Sequence, residues 1–127
     1  MQITARKFTS KENREWDDFI LRSNNGTIFH TRKFLGYHPE NKFSDNSLIF
    51  EKKGNPIALF PAACISDKQE VNLVSHPGAS VGSFVVKESI SYADSMSVTK
   101  ALVEYANAQK FASIQITVPP IIYYRKP

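Results

Sequence analysis

The sequence predicts an α+β fold, a mainly antiparallel sheet flanked by helices. Two observations carry that reading. Between residues 47 and 86, four strand-like runs follow one another through short turns, and such a meander pairs antiparallel. On either side lies a segment whose apolar residues recur at helical spacing. Trp16, Phe19 and Ile20 come before the meander; Val98, Ala101, Leu102, Tyr105 and Ala106 follow it.

Composition agrees and excludes several classes. The 127 residues, 42% hydrophobic and 12% aromatic, suit one globular domain. Nine Phe and five Tyr exclude intrinsic disorder. The single cysteine, Cys64, excludes a disulfide scaffold and predicts a reducing, cytoplasmic location. No apolar run reaches the roughly 20 residues a membrane span needs, and MQITARKF has no signal-peptide core.

The elements are predicted in order. Residues 2–8 alternate and make a first strand. Thr9 and Glu12 form a capping box that starts a helix over 10–22, with Glu15, Asp17 and Asp18 facing water. Asn24-Asn25-Gly26 stops it through the left-handed conformation that Gly and Asn accept. Thr31 caps a short helix over 32–38, which Pro39 ends. Strands over 47–52 and 56–65 meet at Lys53-Gly54-Asn55, with Pro61 marking a bulge or an edge. Asp67-Lys68-Gln69 turns into a strand over 70–75, and a fourth strand covers 78–86. Ser95 caps a second long helix, over 96–110. Residues 113–118 alternate strictly, with Ile114, Ile116 and Val118 on one face. The tail IIYYRKP then has no later element to cover it.

The net charge of +4 is spread thinly. Residues 1–60 hold ten Lys/Arg against seven Asp/Glu, and residues 61–127 hold six against five, always interleaved. A nucleic-acid groove would show a basic stripe broken by aromatics, so these charges read as solvated faces, open at most to an anionic small ligand.

The segment Ser75-His76-Pro77-Gly78-Ala79-Ser80-Val81-Gly82-Ser83 is the richest in chemistry. Its glycines, hydroxyls and imidazole suit close approach of a ligand to backbone N–H groups. They equally suit a tight turn into a bulged strand. The segment is neither a P-loop nor a GxGxxG motif. His30, His38 and His76 are far apart and Cys64 has no second cysteine, so no metal site is predicted. Cys64 lies in an apolar run and is expected to be a buried, inert thiol. Asp17 and Asp18 point about 100° apart on a helix and cannot share one substrate proton. No serine has nucleophile-elbow spacing.

These pieces in their order resemble the FemAB-like branch of the GNAT acyltransferase superfamily. The resemblance rests on Trp16-Asp17-Asp18-Phe19-Ile20, on Asn25-Gly26-Thr27-Ile28-Phe29-His30-Thr31, and on Phe34-Leu35-Gly36-Tyr37-His38. It continues through Ala58-Leu59-Phe60-Pro61-Ala62, Ser75-His76-Pro77-Gly78 and Gly82, and spans roughly residues 10–120. It implies transfer of an acyl or aminoacyl group to a small-molecule or peptide amine, without metal. The donor would be acyl-CoA or aminoacyl-tRNA, so tRNA is the one nucleic acid implied. Ser75, His76, Gly78, Ser80 and Gly82 would line the acceptor-side cleft, with Tyr37 and His38 flanking it; no catalytic residue is singled out.

The chain departs from the family pattern in three places. The coenzyme A loop between the fourth strand and the third helix is replaced by KESISYADS, residues 87–95, with no glycine to wrap a pyrophosphate. The chain stops after what would be the fifth strand, and it carries no second GNAT-like domain. Together these predict a GNAT-like N-terminal half-domain that is incomplete or needs a partner. A homo-oligomer through the C-terminal strand and tail would supply one. The competing reading is a non-catalytic GNAT-like binding or dimerisation module.

Overall fold

The computed structural model describes residues 3–24, 26, 30, 32, 44–75, 84–87 and 89–116. Strand β1 (Ile3–Lys7) leads through a 3-10 turn at Ser10–Glu12 into helix α1 (Asn13–Arg22). Strands β2 (Ser44–Asp45), β3 (Leu48–Lys52), β4 (Asn55–Phe60), β5 (Ala62–Asp67), β6 (Glu70–Ser75) and β7 (Val85–Val86) follow. Helix α2 (Tyr92–Ala108) and strand β8 (Ser113–Gln115) complete the described elements. All of the predicted helix over 32–38 but Arg32, most of the predicted strand over 78–86 and the tail beyond residue 116 lie outside the described residues.

The predicted α+β class is correct, and the described strands form two four-stranded sheets. One has the order β1-β3-β4-β7 and is antiparallel throughout; the other has the order β2-β5-β6-β8, in which only β6 and β8 run parallel. The sheets share one long hairpin. Leu48 pairs Phe60 and Asp45 pairs Ala63, so three steps on one strand match three on the other across the break at Pro61. The predicted strand over 56–65 is therefore two strands. Proline cannot donate to a ladder, and here its position is where the chain leaves one sheet for the other.

Both tight hairpins are two-residue loops. Lys53 (φ 54°) and Gly54 (φ 79°) take consecutive left-handed conformations, as do Lys68 (φ 49°) and Gln69 (φ 72°), the geometry that matches the twist of flanking strands.

The helices cover opposite faces of the first sheet. Trp16, Phe19 and Ile20 of α1 pack with Phe8, Ile49, Leu59 and Val85. Val98, Ala101 and Leu102 of α2 pack with Ile3, Leu48, Phe50, Ile57, Phe60 and Leu73, a core that continues onto the second sheet. Alternation along β3 and β4 assigns these residues to the two faces, except Ile57, the extra residue of a bulge opposite Phe50 and Glu51, which joins the α2 face.

Both helices start, and α2 ends, away from the predicted positions, while α1 ends at Arg22 as predicted but for a different reason. The Thr9–Glu12 box forms, but its first turn is 3-10 and the α-helix starts at Asn13. Gly26 does not adopt a positive φ. The helix stops because Ser23 turns extended and its Oγ donates to the Ile20 carbonyl (2.6 Å) while accepting the Gly26 N–H (2.9 Å). A Cβ at Gly26 would collide with Ser23 Oγ and Ile20, so glycine is needed there for close approach. Helix α2 starts at Tyr92 because Ser91, four residues before the predicted cap, accepts the Asp94 N–H (3.0 Å).

Its other end closes earlier than predicted. Lys110 (φ 63°) donates to the Asn107 carbonyl and Phe111 to that of Ala106, with Phe111 against Tyr105 at 6.5 Å between ring centroids. This is a Schellman cap with its apolar contact.

Candidate functional site

The site is built where the shared hairpin passes between sheets, because side chains replace the ladder there. Pro61 has no N–H, and the register places Ser47 opposite it. Fully buried Ser47 accepts hydrogen bonds at Oγ from the Ala62 N–H (3.1 Å) and from Arg32 Nη1 (2.9 Å), and donates to Asp45 Oδ1 (3.0 Å). Asn46 restores the ladder by donating its N–H to the Ala62 carbonyl (2.8 Å).

Arg32 ties this break to the first helix. Its other fork arm, Nη2, donates to Asp45 Oδ1 (3.0 Å), and its guanidinium lies 4.2 Å from the Phe8 ring centroid and 5.0 Å from that of Trp16. Its backbone N–H donates to Asp17 Oδ1 (2.6 Å), while Trp16 Nε1 donates to the His30 carbonyl (2.8 Å). Asp17 is thus a partner for the backbone and not part of a solvated pair; Asp18 is exposed as expected.

On the other side of the break, Asn46 Nδ2 donates to Tyr105 Oη (3.1 Å), and Cys64 Sγ donates to Asn46 Oδ1 (3.5 Å). Cys64 is half-buried, less covered than predicted, yet burial raises its thiol pKa above the ordinary value. Nearby Asp45 adds to that shift and Lys7 opposes it, so the thiolate is disfavoured.

Ser75 is the one predicted site residue among those described. It is buried at the end of β6 and pairs with Ala62, so Asn46, Ala62 and Ser75 stand in one row across the sheet junction. The parallel pair β6–β8 covers Asn72–Val74 against Ser113–Gln115 and stops one residue before Ser75. The ladder also gains chain here: ten steps separate Ser75 from Val85, against three between their partners Ala62 and Leu59. Tyr37, His38, His76, Gly78, Ser80 and Gly82 lie outside the described residues.

Two further features surround the junction. At the start of α2, the Asp94 carboxylate accepts two hydrogen bonds from Lys52 Nζ (3.0 and 3.2 Å), which hold it below the ordinary carboxylate range. Between α1 and the β3–β4 hairpin runs a groove of about 1060 Å³ that includes Trp16, Phe19, Ile49 and Leu59 along with Glu15, Asp18, Arg22 and Lys87. Among the described residues, no three His, Cys, Asp or Glu gather as a metal ion would require. No described helix is long and apolar enough to cross a membrane.

Sequence reasoning missed Arg32, Asp45, Asn46 and Ser47. A usable signal existed. Counting outward from the Lys53-Gly54 turn brings the polar triplet Asp45-Asn46-Ser47 beside Pro61, within one residue of the observed register, which a bulge between Phe50 and Glu51 shifts.

Among the solved structures similar to this chain are two acetyltransferases. One is a GNAT family acetyltransferase from Staphylococcus aureus subsp. aureus USA300_TCH1516, at TM-score 0.55 and 12% identity, covering 100% of this chain and 94% of the other. The second is an aminoglycoside acetyltransferase from an uncultured soil metagenomic sample, at TM-score 0.58 and 9% identity, covering 98% of this chain and 84% of the other. No protein-family model and no curated protein sequence matches. The chain therefore shares the fold of GNAT acetyltransferases. At such low identity the likeness concerns fold, not substrate.

Proposed function

We propose that this chain is the acceptor side of an N-acyltransferase of the FemAB-like kind, which transfers an acyl or aminoacyl group to an amine. The observation that carries the reading is the end of the β6–β8 ladder at Ser75, in a fold shared with acetyltransferases over almost the whole chain. Ser75 lies buried at the end of β6, beside the described parallel pairing with β8, where a cleft in this fold would be entered.

In this reading Ser75, His76, Gly78, Ser80 and Gly82 line the cleft and Tyr37 and His38 flank it. Transfer needs an uncharged amine held against an activated carbonyl, and N–H donors for the oxyanion that develops. An alkyl amine is protonated at neutral pH, so a group must accept its proton. His76 is the residue of the segment whose ordinary pKa suits that task.

The test is to incubate the chain with an aminoacyl-tRNA or a short acyl thioester and a set of primary amines, over a concentration series that spans self-association. N-acylated product is read by mass spectrometry. The reading expects product, and a loss of about tenfold or more in His76→Gln with the fold intact. Absence of product from both donors at every concentration would count against it.

A second reading, a non-catalytic interaction module, is favoured by the outer face of α2. There Tyr92, Met96 and Val103 share one stripe and are 81, 54 and 47% exposed. It expects a concentration-dependent oligomer in sedimentation that Met96→Asp dissociates; a monomer at all concentrations would exclude it.

A further inference from the structure

The fold family implies a coenzyme A thioester, whose diphosphate would sit at the N-terminus of the helix after the fourth strand. The residues here do not suit that group. We infer that Asp94 fills the N-terminus of α2 in place of a ligand anion, so that the acyl donor of this chain is not a coenzyme A thioester held by its diphosphate. The inference rests on the acyl-transfer reading, because it narrows the donor that reading requires.

A helix N-terminus binds a diphosphate through free N–H groups, the positive end of the helix dipole and neighbouring cations. In α2 two of the N–H groups, the end of the dipole and the cation Lys52 are already engaged, and Lys87 also acts on Asp94. The Asp94 N–H donates to Ser91 Oγ (3.0 Å) and the Ser95 N–H to the Ser91 carbonyl (2.9 Å). The Asp94 carboxylate takes the favourable end of the dipole, and it accepts both hydrogen bonds from Lys52. The Lys52–Asp94 pair is partly covered, at 32 and 15% side-chain exposure. Residues 87–95 contain no glycine to let the backbone fold round a phosphate. An incoming diphosphate would meet a fixed negative charge and would have to break an ion pair to recruit Lys52.

Titration calorimetry of the full chain with inorganic pyrophosphate and with acetyl-CoA tests this directly. The wild type is expected to show no saturable binding of either. Asp94→Ala and the milder Asp94→Asn, each checked for an unchanged melting profile, are expected to strengthen pyrophosphate binding by about tenfold or more. The double variant Asp94→Ala, Lys52→Ala should lose that gain.

Saturable acetyl-CoA binding to the wild type that shifts the Ser91–Ser95 amides would overturn the inference. So would Asp94 variants that gain nothing. A transfer assay separates this failure from that of the wider reading. If acetyl-CoA outperforms a short thioester lacking a nucleotide by about tenfold or more, the inference fails and acyl transfer stands. If no donor supports transfer while the pyrophosphate results hold, acyl transfer fails and the closed helix end stands.

Discussion

Replacing Arg32 with Lys keeps the charge but removes a fork that serves Ser47 and Asp45 at once, and with it the flat face over Phe8 and Trp16. Arg32→Lys is expected to lower stability by about 1–3 kcal/mol in urea unfolding, with Ser47→Ala acting non-additively. A second residue-scale prediction concerns acid. Arg6 donates to Glu12 at 2.6 and 3.0 Å, and this lowers the Glu12 carboxyl to about 2 from an ordinary 4.5. Because the folded value is depressed, the pair stabilises the protein above pH about 4.5 and that contribution fades as pH falls toward about 2. Urea midpoints measured across this range should fall more steeply for the wild type than for Glu12→Gln. At this scale the sequence was least legible. Arg32 and Asp17 read as solvated because nothing in their spacing reveals a partner brought in by tertiary packing. Trp16, Phe19 and Ile20 were legible because helical periodicity alone puts them on one face.

Elements were read correctly where local chemistry decides them. The Lys53-Gly54 turn, the strand at Glu70–Ser75 and the apolar stripe of α2 all follow from patterns within a few residues. Boundaries went astray where several local signals compete. Ser91 and Ser95 are both plausible caps, and Ser91 prevails with an aspartate at the third helical position to engage Lys52. The end of α2 is set by Phe111 folding back on Tyr105, a contact periodicity does not encode. Lys110 consequently sits at φ 63° where glycine is the usual residue. Lys110→Gly should therefore raise stability by about 0.5–1 kcal/mol in thermal unfolding, whereas Gly26→Ala, which drives a methyl into Ser23 and Ile20, should lower it.

For the whole molecule, the class and the order of elements could be read from the alternation of strand and helix periods. The division into two sheets could not. It depends on Pro61 facing a buried serine hydroxyl across the hairpin, and on β8 returning parallel to β6. Trp16 anchors the α1 face at 1% exposure, so Trp16→Ala should cost about 3–5 kcal/mol and loosen the links to His30 and Arg32 together. Of the predicted site residues, Ser75 is described and ends β6 at the junction, and the side chains that hold the junction in shape come from distant positions joined only in the fold.

The proposed function requires a ligand to bind at the end of β6, around Ser75. Amide chemical-shift mapping of the full chain tests it most directly, with a short acetyl thioester lacking a nucleotide and a primary amine added in turn. The account predicts saturable shifts concentrated at Val74, Ser75, Gln115 and Ile116. Shifts confined to the α1 groove, at Glu15, Asp18 and Lys87, or no shifts from either probe, would contradict it.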